Sequence, residues 1–171
     1  MVGSARAVVV RSDAAFARYV TQEQRALQNF AYLVIGNWED ARDAVQEALI
    51  GAYRHWDRVQ FDPGPYVRRS IVNAHVSAWR KRRRESPVAD VVGPDVSPPG
   101  PEHLLVQEMC RALPRRQRAA VVLSYFEDRT SAEVGGVLGC SAATARSLVS
   151  QGIASLRRMN HKTSTRGEDD E

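Results

Sequence analysis

A cluster of basic side chains near the middle of the chain is the strongest chemical signal in the sequence. Between Pro63 and Arg84 there are seven arginine or lysine residues and no acidic one, and five of the seven are consecutive at Arg80–Arg84. Such a cluster neutralises the charge of a polyanion, and it is typical of proteins that bind nucleic acid. One or two arginines would suit the negative end of a solvated helix, but five in succession exceed that need. The cluster therefore predicts a nucleic-acid partner.

The segment that carries these charges has helical spacing. Its apolar residues recur at steps of three and four, which predicts a helix over residues 66–84 with one packed face. Trp79 stands beside the arginine run, where its ring can pack or stack. The preceding loop, residues 57–65, carries Arg58 and Phe61, and unpaired bases stack on aromatic rings. Phe61 is explained equally well as a side chain that fills the core.

An acidic, amphipathic segment precedes that loop. It follows a helix-stop pair, Gly36-Asn37, and its apolar residues between 39 and 56 fall at the i, i+3, i+4 and i+7 spacing of a half-buried helix. The acidic residues of its first turn suit the helix dipole. Asp43 and Glu47 lie further along, where the dipole helps less. With Gln46 they form an acidic patch that suits a basic partner.

A proline-rich segment, residues 85–101, divides the chain. It holds five prolines and two glycines and has no helical period, which is the composition of a semi-rigid linker. We therefore expect two small helical domains, residues 13–84 and 102–160. Residues 1–12 have no clear hydrophobic period, so we expect an irregular N-terminal lead-in there. The polar tail, residues 161–171, ends in four acidic residues and is expected to be disordered.

The second domain has the spacing of a helix-turn-helix. Thr130, with Glu133 three residues later, predicts a capping box at the start of a short helix. That helix breaks at Gly139-Cys140-Ser141, and a longer helix runs from Ser141 to about Met159. In this motif the second helix enters the major groove and reads bases through its N-terminal residues. An ordinary helical hairpin shares this turn often, so the turn alone favours neither interpretation.

The composition argues against several other classes of protein. No apolar run approaches the roughly 18 residues that a membrane span needs, and the first residues lack a signal-peptide core. We therefore expect a cytoplasmic protein with no membrane insertion. Cys110 and Cys140 have no neighbours at metal-ligand spacing and predict two reduced thiols. His55 and His75 are explained as packing or surface residues. With no phosphate loop or nucleophile arrangement, neither an enzyme nor a cofactor is expected.

Three stretches, in this order across the linker, resemble a known family. They are Glu39–Leu49, Tyr66–Asn73 with Ser77–Arg83, and Leu113–Arg118 through Tyr125–Asp128 to Leu138–Ser141. Over residues 13–158 the chain resembles the extracytoplasmic-function (ECF) sigma factors of bacterial RNA polymerase, most closely their SigE-like subfamily. The resemblance implies an all-α fold, with a region 2 helical bundle and a region 4 helix-turn-helix joined by the linker. It also implies a subunit that binds core polymerase, directs it to −10 and −35 promoter elements and promotes DNA melting without ATP.

The resemblance further implies a role for each group of site residues. Contacts with core polymerase, at the β′ clamp coiled coil, fall on the acidic patch: Asp40, Asp43, Gln46 and Glu47. Contacts with the −10 element, including a base flipped from the melted non-template strand, fall on the loop and the basic helix: Arg58, Phe61, Arg68, Arg69, Asn73, Trp79, Arg80, Arg82 and Arg83. Contacts with the −35 element fall on the last helix: Ser141, Thr144, Arg146, Ser147 and Gln151. The polymerase β flap and an anti-sigma protein that wedges between the domains are further implied partners.

The recognition helix departs from the family pattern. Arg146 stands where lysine is usual, Leu148 replaces a polar residue, and Gln151 replaces an arginine. Gly152, in mid-helix, costs up to about 1 kcal/mol relative to alanine. Fewer cations predict fewer phosphate contacts and a shallower salt dependence, so −35 recognition is altered or weak, or this face meets a protein instead. The alternative for the whole chain is a stand-alone helix-turn-helix regulator that binds duplex DNA, usually as a dimer.

Overall fold

A computed structural model describes residues 3–81 and 100–166 of the chain, with side chains over 13–74 and 104–160. Within these ranges the backbone forms eight α-helices and no strand. The chain divides into two compact units, Met1–Pro98 (unit 1) and Pro99–Glu171 (unit 2), and the division falls inside the predicted linker. The prediction of an all-α protein with two helical domains is confirmed. Residues 82–84 at the end of the basic helix and residues 85–99 of the linker lie outside the described residues.

Unit 1 contains the first four helices: α1 (Gly3–Ile35), α2 (Trp38–Arg54), α3 (Trp56–Val59) and α4 (Pro63–Lys81). The expected lead-in over residues 1–12 is wrong, because α1 already begins at Gly3. No glycine or proline interrupts residues 4–12, so nothing in the sequence stops the helix from extending there. The predicted stop pair is correct. Gly36 adopts a left-handed φ of 88°, and Asn37 caps α2 by accepting a hydrogen bond from the Asp40 N–H at 3.0 Å.

The core of unit 1 forms around the apolar face of α2, which packs against both α1 and α4. This face is mostly alanine, so the neighbouring helices approach closely. Its buried residues are Ala41, Ala44, Val45, Ala48, Leu49 and Ala52. Helix α1 contributes Leu27, Phe30 and Ala31 to the same core, and α4 contributes Val67 and Ile71.

The loop expected over residues 57–65 is much shorter than the sequence predicts. Helix α3 occupies its first part, and α4 begins at Pro63, three residues before the predicted start. Pro63 and Pro65 lie in the first turn of α4, where backbone N–H groups have no intrahelical partner and proline is tolerated. What remains as loop is Gln60–Asp62.

Unit 2 contains the last four helices: α5 (Pro101–Arg111), α6 (Arg115–Tyr125), α7 (Ser131–Leu138) and α8 (Ala142–Arg166). The predicted capping box is confirmed at the start of α7. The Glu133 N–H donates to Thr130 Oγ1 at 3.3 Å, and the Thr130 N–H donates to Glu133 Oε2 at 2.8 Å. Helix α7 ends at Gly139, which has a left-handed φ of 66°. Ser141 then caps α8, since its Oγ accepts from the Thr144 N–H at 3.1 Å.

The expectation of a disordered tail over residues 161–171 is wrong for its first part. Helix α8 continues to Arg166, immediately before Gly167, because residues 157–166 contain no glycine or proline. Residues 167–171 lie outside the described part of the chain.

Two glycines in unit 2 allow close packing that a larger residue would prevent. A Cβ at Gly152 of α8 would lie 2.6 Å from Val121 Cγ2 of α6, and a Cβ at Gly135 of α7 would lie 2.6 Å from the Cys140 carbonyl oxygen. Gly152 is buried. Its low helix propensity is therefore offset by the approach of α8 to α6, which explains a residue that the sequence alone marks as a defect.

We expect Gly152→Ala to lower the free energy of unfolding by about 1–3 kcal/mol, because the added methyl overpacks the contact with Val121. Val121 is β-branched and has little rotamer freedom with which to move aside. Urea unfolding of the full chain, followed by circular dichroism, measures the change.

Gly136→Ala is the matched control, since a Cβ at Gly136 of α7 meets nothing within 4 Å. Here the better helix propensity of alanine should raise the free energy of unfolding by up to about 1 kcal/mol. Equal gains for the two variants would show that Gly152 does not set the α6–α8 distance.

The capping box also predicts a pH dependence. Hydrogen bonds from Thr130, first its backbone N–H and then its hydroxyl, and next from Arg129, hold the pKa of Glu133 below its ordinary value of 4.5. The stability that a lowered pKa contributes is present above the ordinary value and is lost as the pH falls through the folded-state pKa. Glu133→Gln should therefore lower the midpoint of thermal unfolding at pH 7, with a smaller difference at pH 3. Glu108→Gln, at an exposed residue of α5, is the control. A Glu133→Gln difference that is the same at both pH values would contradict the prediction.

Candidate polymerase and nucleic-acid interfaces

The acidic patch predicted for polymerase binding lies on α2, away from the buried alanine face. Asp40, Asp43 and Glu47 fall at i, i+3 and i+7 and therefore share one side of the helix. Asp43 and Glu47 are exposed, and Asp40 and Gln46 are half-buried. Partial burial, followed by repulsion from Asp40, Glu39 and Glu47, raises the pKa of Asp43 from its ordinary value of 3.8. A basic partner would relieve this repulsion, so the surface favours a cationic protein.

Phe61 is presented to solvent from the short loop between α3 and α4. Its side chain is 92% exposed, so the interpretation that it fills the core is wrong. The Asp62 N–H donates to the Val59 carbonyl oxygen at 3.1 Å, which closes the loop. Trp56, at the start of α3, is buried, with its ring centre 5.1 Å from that of Phe16 in α1. An exposed ring on a rigid support can stack on an unpaired base.

Arg68 is not on the surface where the sequence analysis places it. It is 4% exposed, its Nη2 lies 3.6 Å from Glu23 Oε2 of α1, and its Nη1 lies 3.5 Å from the Gly64 carbonyl oxygen. We therefore remove Arg68 from the expected DNA contacts. The helical period of α4 could have predicted the burial of Arg68. Arg68 stands one residue after Val67 and three before Ile71, and both of these are buried.

Of the other predicted −10 residues, the structure describes the side chains of some and not of others. Arg69 and Asn73 are exposed and four residues apart, so they share an outer face of α4. Arg58, on α3, is also exposed. The side chains of Trp79 and Arg80, and all of Arg82 and Arg83, lie outside the described residues.

The predicted −35 residues lie on the exposed side of α8. Thr144, Ser147 and Gln151 fall at i, i+3 and i+7, and they are exposed together with Arg146 and the cap residue Ser141. Leu148, by contrast, is half-buried and faces partly towards the core. An apolar residue at this position, where the family usually has a polar one, is therefore explained in part by packing against the core.

The structure also brings the start of α6 beside the recognition helix, which the sequence analysis missed. Gln117 Nε2 donates to Gln151 Oε1 at 3.2 Å, and Arg116 Nη2 donates to the Leu138 carbonyl oxygen at 3.3 Å. Arg115 and Arg116 are exposed. These two cations lie near the N-terminal part of α8, where Arg146 is the one cation among the predicted −35 residues. No local pattern predicts the contact, because Gln117 and Gln151 meet only through the packing of α6 on α8.

The described part of the chain contains neither a candidate metal site nor a candidate membrane span. No group of three or more histidine, cysteine, aspartate or glutamate residues there is placed to hold a metal ion. None of the helices, as far as their residues are described, is long and apolar enough to cross a membrane.

Comparisons with known proteins identify the chain. The Sigma-70 region 2 model matches residues 19–85, and the Sigma-70 region 4 model matches residues 103–156. The RNA polymerase sigma-E factor of Streptomyces avermitilis is 30% identical over 148 residues, which are 83% of each chain. The chain belongs to the ECF sigma factors. Two further relatives are the ECF sigma factor SigM of Mycobacterium tuberculosis (strain ATCC 25618 / H37Rv), 29% identical over 85% of this chain and 76% of its own, and SigE of Mycolicibacterium smegmatis, 30% identical over 81% and 58%.

A solved structure shares the fold of this sigma factor. It is that of the sigma factor RpoE in complex with the anti-sigma factor NepR from Bartonella quintana, with a TM-score of 0.66 and 22% identity over 85% of this chain and 96% of that one. As an ECF sigma factor the protein is a transcription initiation factor and not an enzyme, and it directs core RNA polymerase to promoters. The alternative of a stand-alone regulator was suggested by the helix-turn-helix alone. It loses its support because residues 19–85, outside that motif, match the Sigma-70 region 2 model.

Proposed function

We propose that this sigma factor acts through three separate surfaces. The acidic side of α2 binds core polymerase, the Phe61 loop with the outer face of α4 holds the −10 element, and the exposed side of α8 contacts the −35 element. The observation that carries the proposal is the exposure of Phe61, 92% on a loop anchored by buried Trp56. A single exposed ring is not unusual in itself, but this ring lies in the short loop directly before the basic helix α4, where it can stack on an unpaired base.

The polymerase surface consists of Asp40, Asp43, Gln46 and Glu47. Its support is the group of like charges around Asp43, whose pKa is raised first by partial burial and then by repulsion from Asp40, Glu39 and Glu47. A cationic partner would turn that repulsion into attraction. From the family resemblance we assign this partner as the β′ clamp coiled coil, with the β flap as a second contact of the polymerase.

The −10 surface combines stacking with charge. Phe61 supplies the ring for a flipped base of the non-template strand, Asn73 supplies hydrogen bonds to base edges, and Arg58 and Arg69 bind phosphates. Unstacking a base costs a few kcal/mol, and stacking on a protein ring returns about 1–3 kcal/mol. Polymerase contacts and phosphate neutralisation supply the remainder, so melting proceeds without ATP. Four further predicted contacts with the −10 element lie on residues whose side chains are outside the described part of the chain: Trp79, Arg80, Arg82 and Arg83.

The −35 surface consists of Ser141, Thr144, Arg146, Ser147 and Gln151. Because α8 carries only one exposed cation among these residues, we add Arg115 and Arg116 of α6 as phosphate contacts, supported by the bond between Gln117 and Gln151. Short polar side chains contact base edges without strong preference, so this element should be read more weakly than in a recognition helix rich in arginine.

The location and a further partner follow from the same function. We place the protein in the cytoplasm, where core polymerase and promoter DNA are found. The RpoE structure contains an anti-sigma factor, NepR, and we extend to this chain the expectation of a comparable inhibitory protein.

Run-off transcription with core polymerase tests the proposal. Adding the chain should start transcription at defined promoters, which sequencing of the transcript ends would locate. Asp43→Lys/Glu47→Lys should abolish both transcription and core binding, because it places cations where a cationic partner docks. Glu108→Lys, a charge reversal on exposed α5, should have no effect, and circular dichroism should show all variants folded. Core binding by the double variant at the wild-type level would remove α2 as the polymerase surface.

Phe61→Ala tests the base-stacking role. Because Phe61 is exposed, the substitution should leave the free energy of unfolding within about 0.5 kcal/mol of the wild type. Loss of a stacking contact worth about 1–3 kcal/mol should reduce open-complex formation about 5-fold to 150-fold, as measured by permanganate footprinting of the melted strand. Phe61→Trp should retain opening and Phe61→Leu should not. Full opening with leucine would assign the site to apolar contact instead of ring stacking.

A further inference from the structure

One side of α1 contacts both ends of the segment that presents Phe61. Phe16, Tyr19 and Glu23 fall at i, i+3 and i+7 of α1 and so share a stripe. The Trp56 ring, five residues before Phe61, packs against Phe16 at 5.1 Å and Tyr19 at 5.7 Å. Arg68, seven residues after Phe61, pairs with Glu23 at 3.6 Å. The loop is therefore held to one helix from both directions.

The Arg68 side chain lies back over the first turn of α4. Side chains on a helix tilt towards its N-terminus, which brings Arg68 Nη1 to 3.5 Å from the Gly64 carbonyl oxygen. A Cβ at Gly64 would lie only 3.2 Å from the same nitrogen, so a larger residue would press on the guanidinium. Gly64 is two residues after Asp62, the last residue of the loop. The guanidinium thus lies between α1 and the point where the loop becomes helix.

The ion pair between Arg68 and Glu23 is not well explained by a contribution to the free energy of unfolding alone. Arg68 is 4% exposed while Glu23 is 38% exposed, and replacing buried ion pairs by apolar residues of similar size is often neutral in stability. What an arginine does, and a packed apolar residue does not, is bond two elements at a fixed distance through a planar group.

We propose that Arg68 is a positioning residue, which through Glu23 and Gly64 fixes the Phe61 loop in the geometry that receives a flipped base. The inference rests on the proposed role of Phe61 and assigns Arg68 no contact with DNA. A loop that is fixed beforehand loses less conformational freedom when the base arrives, so the pair acts on base capture more than on folding or on polymerase binding.

The test uses holoenzyme assembled from core polymerase and the full chain. The probe is fork-junction DNA from a promoter located by start-site mapping, with 2-aminopurine placed in turn at each non-template position of the −10 element. Its fluorescence rises when the base leaves the stack, and titration gives the equilibrium for base capture. The variants are Arg68→Met, Glu23→Gln and the two combined, with Arg68→Lys as the conservative change. Arg25→Met removes an exposed charge from α1 as the matched control.

We expect Arg68→Met and Glu23→Gln each to weaken base capture about tenfold, with core binding within about twofold of the wild type. The combined variant should be no worse than Arg68→Met alone, since both remove the same link. Arg68→Lys should retain most of the capture, and Arg25→Met all of it.

Four results would overturn the inference. The first is unchanged base capture in Glu23→Gln. This result would overturn the inference even if Arg68→Met fails to fold, because Glu23 is partly exposed and glutamine has the same shape. A combined loss equal to the product of the single losses would show two independent effects. Loss in Phe61→Ala without loss in Glu23→Gln or Arg68→Met would leave the proposed −10 surface intact and remove Arg68 from it. Unchanged capture in Phe61→Ala would instead overturn the −10 surface itself, and with it this role for Arg68.

Discussion

The alanine face of α2 is the packing constraint on which unit 1 depends. Because Ala41, Ala44, Ala48 and Ala52 are small and buried, α1 and α4 pack closely on the same helix. The opposite side of α2 is then left to solvent with its acidic residues. In the proposed function, the helix that meets the polymerase is the same helix on which α1 and α4 pack. Docking of α2 would then position the Phe61 loop and the outer face of α4 through that packing.

Unit 2 uses close packing in a comparable way, with glycine in place of alanine. Gly152 brings α8 against α6, and Gly135 brings α7 against the turn that precedes α8. Arg118, buried in α6, donates to the carbonyl oxygens of Arg111 at 2.9 Å and Leu113 at 3.2 Å, which ties the end of α5 to this core. Burial lowers the pKa of Arg118. The hydrogen bonds to backbone oxygens are part of what stabilises a cation in that position.

The features that could be predicted from the sequence are those that local chemistry determines. The Gly36-Asn37 stop and the Thr130–Glu133 box depend on residues within one turn of each other, and both have the expected form. The burial of Arg68 and the space needed around Gly152 depend on side chains from other helices, so a single stretch of sequence does not specify them. The early start of α1 was missed because residues 4–12 contain no glycine or proline that would mark where the helix begins. The helical role of Pro63 was missed because proline was taken as a breaker, although the first turn of a helix tolerates it. The same limit applies to the contact between Gln117 and Gln151.

Different residues of α8 serve its packing in unit 2 and its outward surface. Its inner side is fixed by Gly152 and buried Ala145, whereas Thr144, Ser147 and Gln151 face outwards. Sequence drift on the outer side is therefore nearly neutral for folding, while drift on the inner side is removed by selection for a stable domain. If these outward residues contact the −35 element as proposed, promoter preference can be changed without a compensating change in the scaffold. In the proposed function, unit 2 is therefore a suitable starting point for sigma factors directed to synthetic promoters.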